Sequence, residues 1–336
     1  MKKVISIARV ELAGMFYSPI AWIALILFII QVGMDFSDKL IDLEAMQFIG
    51  RSTSNLTNVI FSEDSLQKGL LRLIQERMFL FIPLLTMGSM SREIHSGSIK
   101  LLLSSPIRLS GIIMGKFLAM MVIGLLFIII LLLYMLAGIF TIENMDWPSV
   151  MVALLGIYLL ICAYAAIGIF ISSLTRYQIM AAISTFILLG VLSYMGRIWQ
   201  KYDFFREVTH NISISGRLNA FIDGLIITRE VIYFLGIIAF FLSLTMLRLW
   251  FDRKSASISM RVAGYSLLCA ALIIVGFISS RPVFTGYWDF TSTQRNTMSE
   301  DGQKMIKRLN GPLEITTYAN LFDSQFDDVS PASRYK

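Results

Sequence analysis

The feature that constrains this chain most is a set of long segments that contain no charged residue. Residues 117–140 are 24 consecutive uncharged residues, and residues 150–174 are another 25. A helix that crosses a lipid bilayer needs about 20 such residues, because every backbone group must be satisfied within the segment. Hydrophobic residues make up 56% of the chain and charged residues only 15%, whereas soluble domains average about 25% charged residues. The sequence therefore predicts an all-α polytopic membrane protein.

The alternation of apolar and charged segments predicts seven membrane-spanning helices, with the N-terminus inside and the C-terminus outside. The seven segments are residues 19–34, 78–90, 117–140, 150–174, 179–195, 231–247 and 262–278. The orientation follows from the basic connections, since short loops rich in Lys and Arg stay on the cytoplasmic side. Before the first span, residues 1–17 combine spaced basic and apolar side chains, which predicts an amphipathic helix on the inner membrane surface. Between the fifth and sixth spans, residues 215–224 predict a short helix at the outer interface.

The second of these segments is shorter than a full span. Residues 78–90 are only 13 residues long. Two interpretations are open: the helix begins earlier, near Leu70, with Arg72 and Arg77 reaching toward the headgroups, or the segment is re-entrant. We favour the span, because the orientation of every later segment then agrees with its charges. Pro83 lies inside the segment, and packed membrane helices tolerate such a kink.

The composition changes to that of a soluble domain at Arg281. Residues 281–336 carry seven basic and seven acidic residues. Ser299 is a suitable N-cap for a helix that would run to about Leu309, and residues 313–318 alternate as a strand does. One helix and one strand cannot bury a core, so we expect the start of an incomplete α/β extracytoplasmic domain. The domains predicted are residues 1–17 (interface helix), 18–250 (six spans), 251–280 (inner loop and seventh span) and 281–336 (extracytoplasmic).

The sequence gives no pattern for catalysis, for a cofactor or for a metal. Cys162 and Cys269 both lie in apolar segments, and His95 and His210 fall on opposite sides of the predicted membrane. The nearest approach to a phosphate-binding loop, residues 111–116, lacks the required glycine spacing. No acid or base lies in the middle of a span, which disfavours an ion-coupled carrier. The net charge of +6 lies largely next to the membrane and needs no nucleic acid. If the protein transports, a partner must supply the energy.

One polar segment, residues 90–116, separates the second and third spans. It holds four basic residues and one acid, which places it on the cytoplasmic side. Its apolar residues predict a short helix, or a pair of helices broken at Gly97 and Pro106. A basic amphipathic element of this kind can lie on anionic headgroups or dock into a groove of a soluble partner. We favour docking, because a solvated loop has no need of the apolar ridge at residues 101–103.

This polar segment resembles the first cytoplasmic segment of type-2 ABC transporter permeases. The matching residues are Glu93–Pro106 and Gly115–Phe117, with Ser98 in place of the family's Thr and Lys100 in place of its second Glu. Residues 168–178 and 221–235 resemble the family's fourth-to-fifth helix turn and its outer segment before the sixth helix. The similarity is closest to permeases of the gliding-motility type. Residues 287–299 resemble the start of the extracytoplasmic part of a second component that is fused to some of these permeases.

The resemblance implies a six-helix type-2 ABC permease bundle, followed here by a seventh transmembrane helix. Such a permease moves its substrate, unknown here, across the cytoplasmic membrane, using ATP hydrolysed by a separate ATP-binding subunit. Two permease units would pair, as a homodimer or a heterodimer, and the polar segment, residues 90–116, would act as a coupling helix. The alternative is a structural membrane anchor of an ATPase-driven envelope or motility complex, with no translocated substrate.

The resemblance also implies which residues touch the ATP-binding subunit. The expected coupling interface consists of Arg92, Glu93, Gly97, Ser98, Lys100, Leu101, Leu102, Leu103 and Pro106. In this prediction the charged side chains form the rim and the leucines fill a groove. Gly97 allows a close approach, and Pro106 ends the helix.

Overall fold

The computed structural model describes residues 2–48, 56–62, 68–104, 108–138, 145–195, 214–254, 257–281 and 284–308, which are almost entirely helical. The helices are α1 (Lys2–Tyr17), α2 (Pro19–Phe48), α3 (Leu56–Phe61), α4 (Leu70–Thr86), α5 (Gly88–Ser96), α6 (Ile99–Ser104), α7 (Leu109–Gly138), α8 (Trp147–Leu174), α9 (Gln178–Tyr194), α10 (Ile214–Ile222), α11 (Thr228–Lys254), α12 (Ile258–Ser279) and α13 (Glu300–Lys307). Two short strands, β1 (Leu225–Ile227) and β2 (Tyr287–Asp289), pair in antiparallel orientation.

Helix α8 is the centre of the bundle. It contacts α4, α5, α7, α9, α10 and α11, and most of its side chains are buried. Two glycines let its neighbours approach closely, as small residues do between membrane helices. A Cβ at Gly168 would lie 2.2 Å from Oγ1 of Thr86 on α4, and one at Gly156 would lie 2.5 Å from Cβ of Phe221 on α10. Any larger side chain at either position would push these helices apart.

An aromatic cluster joins α2, α4 and α7 beside this centre. The ring of Phe28 lies 4.7 Å from the ring of Phe127 and 5.3 Å from that of Phe81, measured between centroids. Phe28 and Phe127 are almost completely buried. Aromatic pairs at these spacings add about 0.5–1.5 kcal/mol each beyond the burial of their area. The cluster therefore fixes the three helices against each other.

Five helices in the described ranges are long and apolar enough to cross a membrane: α2, α7, α8, α11 and α12. Helix α9 is apolar but has only 17 residues, and α4 also has 17. The seven predicted segments thus all appear as helices, but two of them fall short of a full span. Helix α12 packs on α11, and most of its side chains are exposed. In a membrane, that surface faces lipid or another protein.

Helix α4 covers most of residues 78–90. It begins at Leu70 and ends at Thr86, so the predicted start near Leu70 is confirmed. The expectation for its arginines was wrong, however. Arg72 is buried, and its Nε donates a hydrogen bond to the carbonyl oxygen of Ser62, 2.7 Å away. Its Nη2 lies 3.2 Å from a carboxylate oxygen of Asp223. The guanidinium thus binds protein groups instead of headgroups.

Helix α2 continues well beyond the segment 19–34 that the sequence predicted, and reaches Phe48. The prediction ended at Met34 because Asp35 marked the start of a polar loop. In the structure Asp35 is 5% exposed and its carboxylate pairs with Arg77 of α4. Gln31 also donates to this carboxylate. A buried acid is tolerated inside a helix when its charge is paired in this way.

The helix predicted at residues 215–224 forms as α10, and it packs against the bundle. Leu218, Phe221 and Ile222 are completely buried, and α10 packs on α4, α8 and α9. The spacing of these apolar residues predicted the helix correctly. It could not show that a cleft between three other helices was available to receive it.

The segment after α12 folds back onto the bundle. Strand β2 pairs with β1, so that Leu225 lies opposite Asp289. The predicted N-cap is confirmed: Oγ of Ser299 accepts a hydrogen bond from the backbone N of Gly302 at 3.3 Å. Helix α13 ends at Lys307, two residues before the predicted end. The predicted strand at residues 313–318 lies outside the described residues.

The two ends of α8 define the two ends of the molecule. Asp146, just before α8, accepts a hydrogen bond from the backbone N of Ser292, next to β2. Ser172, near the other end of α8, contacts the start of α5. At 1.5 Å per residue, these two points are roughly 40 Å apart. We name them the β1/β2 end and the α1/α5 end.

Candidate coupling site

The polar segment folds into two short helices that meet at a corner. Helix α5 ends at Ser96 and α6 begins at Ile99, so the predicted break at Gly97 is confirmed. Gly97 has φ +74° and its backbone N donates to the carbonyl oxygen of Ile94 at 3.3 Å. The backbone N of Lys100 in turn donates to the carbonyl oxygen of Gly97 at 3.1 Å. This left-handed conformation, which favours glycine, is the reason for a glycine at the corner.

A serine of α8 holds the start of α5. Oγ of Ser172 accepts hydrogen bonds from the backbone N of Met90 at 3.0 Å and of Ser91 at 3.1 Å. The same hydroxyl donates to the carbonyl oxygen of Met87 at 2.8 Å. Met87 is the single residue between α4 and α5. The hydroxyl of Ser172 therefore satisfies backbone groups that are left open where the two helices meet.

A buried lysine connects α5 to two more helices. Lys116 belongs to α7, and its side chain is only 2% exposed. Its Nζ lies 2.7 Å from Oε1 of Glu93 and donates to the carbonyl oxygen of Ser89 at 2.8 Å. It also forms an ion pair with Glu11 of α1. Breaking a buried ion pair by removing one partner costs about 3–5 kcal/mol. This single side chain therefore ties α1, α5 and α7 together.

The charges in this cluster are not balanced, since two carboxylates share one ammonium group. Burial raises the pKa of the Glu93 carboxyl above its usual value of 4.5; the ammonium of Lys116 opposes this rise, and Glu11 adds to it. Oε2 of Glu93 is buried and has no hydrogen-bond partner within the described part of the chain. Both features favour the protonated form of this carboxyl.

Helix α1 lies directly against α7 beside this cluster. A Cβ at Gly115 would lie 2.7 Å from Cγ2 of Ile7 and 3.1 Å from the carbonyl oxygen of Val4. The glycine therefore allows the two helices to touch at the level of Lys116. The buried face of α1 carries Ala8 and Met15, while its basic residues are exposed. This arrangement agrees with an amphipathic helix.

The structure places the predicted interface residues in two groups. Lys100 and Leu101 are exposed on α6 beyond the corner, and the Leu101 side chain is 75% exposed. Oγ of Ser98 donates to the backbone carbonyl oxygen of Glu93 at 3.4 Å and so braces the corner. Arg92 is exposed on α5. The carboxylate of Glu93 instead points inward to Lys116. Glu93 lies about one helical turn before the corner, on the side nearer the spans.

The remaining predicted interface residues cannot be placed in full. Leu102 and Leu103 belong to α6, but their side chains lie outside the described part of the structure. Pro106 lies outside the described residues altogether. The leucine ridge and the end of the second helix therefore remain predictions.

Sequence reasoning missed several residues of this site. Glu11 and Ser172 contact the polar segment from far away in the sequence, and Lys116 was assigned no role within it. Nη1 of Arg248 on α11 donates to Oγ of Ser173 at 3.2 Å, next to the same joint. One signal was present: Glu11 is the one acid of α1, and Lys116 is the one charged residue of the 30-residue helix α7. A charge alone in an apolar helix needs a partner.

A comparison with protein families decides the identity. Residues 5–285 match the model described as "ABC-2 family transporter protein". The chain belongs to the ABC-2 transporter family. No curated protein and no solved structure matches it significantly. The corner between α5 and α6 thus lies in a membrane transport subunit, and an ABC-2 permease implies an ABC ATP-binding subunit as its partner. Strand β2 lies beyond the residues that match the family model. It nevertheless pairs with β1, which lies within the matched residues.

Proposed function

We propose that this ABC-2 transporter is the permease subunit of an ATP-binding cassette transporter, driven by ATP that a separate subunit hydrolyses. The observation that carries the proposal is the corner at Gly97. An exposed, basic and apolar tip, with Lys100 and Leu101, extends from helix α5, which is bonded directly to α7 and α8. An exposed leucine beside basic groups at a helix end suits insertion into a groove of a soluble partner.

The contacts of α5 provide a route for mechanical coupling. A force applied at the corner acts on α5, which is bonded to α8 through Ser172 and to α7 through Lys116. Because Lys116 also pairs with Glu11, the same force would act on α1 as well. Because α8 contacts six other helices, movement of α5 reaches the whole bundle. Packed interfaces of this kind shift between discrete arrangements instead of deforming gradually.

The roles of the predicted interface residues become more specific with this geometry. Lys100 and Leu101 are the direct contacts that we propose, with the leucine ridge of α6 beside them. Gly97 sets the angle of the corner through its positive φ. Glu93 supports α5 from inside through Lys116. Arg92 stays a predicted rim contact, on the exposed side of α5 but a turn before the corner.

The orientation follows from this function. The α1/α5 end would face the cytoplasm, and the β1/β2 end, with residues 284–308, would face the opposite side of the cell inner membrane. The basic residues of α1 and of the polar segment support this assignment. The segment after α12 would then begin an extracytoplasmic part, as the resemblance to fused gliding-motility components implies.

A second permease unit is also part of the proposal. Helices α2 and α9 both present rows of exposed apolar side chains, among them Ile26 and Ile30 on α2 and Ile183 and Ile187 on α9. These two helices flank α4. We expect the second unit to meet this surface, in a homodimer or a heterodimer. The alternative of a structural anchor is not favoured, because the family assignment indicates a transporter.

The proposal is tested by Leu101→Asp in the full chain, coexpressed with the ATP-binding subunit. The matched control is Met305→Asp, because Met305 is 71% exposed and lies beyond β2, at the other end of the molecule. We expect Leu101→Asp to lower both the amount of copurified ATP-binding subunit and the ATPase activity that depends on the permease. The control should change neither. Unchanged copurification and activity with Leu101→Asp would contradict the proposal.

A further inference from the structure

A cleft at the α1/α5 end lies between the α1–α2 connection, the joint of α4 and α5, and the start of α9. Its cavity volume is about 50 Å³. Gly88 keeps it open: a Cβ there would lie 3.6 Å from Oε1 of Gln178 and 4.0 Å from Nη2 of Arg92. An amide from α9 and a guanidinium from α5 therefore converge on one point of the wall.

The electrostatic character of the cleft is positive. Arg92 is exposed, and it is the one charged residue among the described residues that line the cleft. Helix α9 begins at Gln178 with no side-chain cap and no acid in its first turn. The positive end of its dipole is therefore uncompensated there. These features together favour an anion.

A buried hydroxyl on the cleft wall supplies an independent indication of a ligand. Ser89 lines the cleft and is only 3% exposed. Its Oγ is buried and has no hydrogen-bond partner in the part of the chain that the structure describes. A buried polar atom without a partner is costly, and such groups are normally satisfied by a ligand or water. An anion in the cleft would provide the missing acceptor.

The surroundings of the cleft are those of a membrane surface. Trp22 lies one turn into α2, and its Nε1 donates to the carbonyl oxygen of Phe16 at the end of α1. Tryptophans collect at the level of the lipid headgroups. Exposed apolar side chains begin at once on both sides of the cleft, with Ile23 on α2 and with Ile179 and Met180 on α9. An occupant with an anionic headgroup and apolar chains fits both the cleft and the apolar surfaces beside it.

We propose that this cleft binds the phosphate group of an anionic phospholipid headgroup. Arg92 and the start of α9 supply the positive charge, and the hydroxyl of Ser89 supplies a hydrogen-bond donor. The acyl chains lie along the exposed apolar side chains of α2 and α9. The bound lipid then sits against α5, beside the coupling corner. The proposal does not depend on the transport function, since it concerns a resident lipid.

The test uses the purified full chain in micelles of phosphatidylcholine and detergent, titrated with phosphatidylglycerol while the melting temperature is recorded. Arg92→Gln removes the cation, and Gly88→Leu fills the cleft without changing the charge. The matched control is Arg176→Gln, because Arg176 is exposed on the turn between α8 and α9 but does not line the cleft. Inorganic phosphate is titrated in a parallel arm, to separate a lipid from a free anion.

We expect phosphatidylglycerol to raise the melting temperature of the native chain and of Arg176→Gln with the same apparent Kd. In Arg92→Gln the apparent Kd should rise about fivefold, the effect of one basic residue at an anionic membrane surface, and Gly88→Leu should abolish the response.

An equal response of Arg92→Gln and the native chain would overturn the proposal. Stabilisation by inorganic phosphate equal to that by the lipid would overturn the lipid as occupant. If Arg92→Gln weakens binding of the ATP-binding subunit but leaves the lipid response intact, Arg92 serves the protein interface and the proposal is wrong.

Discussion

Nζ of Lys116 lies 2.7 Å from Oε1 of Glu93, although the two residues belong to different helices. The pair joins α7, a clear membrane span, to α5, which leads to the exposed corner at Gly97. Because Lys116 also pairs with Glu11, the interface helix α1 is part of the same connection. The ABC-2 permease thus contains a charged joint at the point where a force from outside the membrane would enter the bundle.

Replacing Lys116 by Met should destabilise the protein by about 3–5 kcal/mol, because the partly buried carboxylates of Glu11 and Glu93 would then lose their cation. Thermal unfolding of the purified variant measures this loss. The triple variant that adds Glu11→Gln and Glu93→Gln should recover most of it, since no unpaired charge remains. Equal melting temperatures for the single and triple variants would show that the loss comes from packing and not from charge.

The stability of the native chain should fall as the pH rises above 4.5, through the contribution of Glu93. Its pKa in the folded protein lies above the usual value of 4.5, so the folded state holds this proton after the unfolded state has released it. The contribution is fully present below pH 4.5 and is lost as the pH rises through the folded pKa. The melting temperature of Glu93→Gln, followed from pH 4.5 to 8, should lack this fall. A native chain and a variant with parallel pH profiles would contradict the assignment.

Gly97→Ala should lower stability by about 1 kcal/mol, because a residue with a Cβ is strained at φ +74°. The space is open, since no atom lies within 4 Å of the new Cβ, so strain alone is tested. Gly276→Ala is the matched control: its Cβ also meets nothing within 4 Å, and its φ is not positive. The control should be neutral or more stable by up to about 1 kcal/mol. Melting temperatures that change alike would rule out the conformational role of Gly97.

Asp289→Ala should loosen the segment that folds back after α12. The carboxylate of Asp289 accepts hydrogen bonds from the backbone N and Oγ1 of Thr291, the backbone N of Asn296 and Oγ1 of Thr297. Hydrogen exchange should become faster in residues 291–297 of the variant. Asp301→Ala, which removes an acid that is 94% exposed, is the control and should leave the exchange unchanged. Protection that survives in Asp289→Ala would show that β1 and β2 hold this segment by themselves.

Local patterns were enough to predict the parts of the fold that depend on neighbouring residues. The uncharged segments predicted α7 and α8. Gly97 predicted the break between α5 and α6, and Ser299 predicted the N-cap of α13. Contacts between distant segments were not predictable in the same way. The partner of Lys116 on α1 is 105 residues away, and only packing brings them together. Asp35 was placed in a loop for the same reason, since its pairing with Arg77 depends on how α2 meets α4.

The central claim is that the corner between α5 and α6 contacts the ATP-binding subunit, and site-specific photocrosslinking tests it most directly. A photoreactive amino acid replaces Leu101 in the assembled complex, and Met305 is replaced in a parallel control. We predict a crosslink to the ATP-binding subunit from position 101, with a yield that changes on addition of nucleotide, and none from position 305. A complex that copurifies intact but gives no crosslink from position 101 would contradict the account.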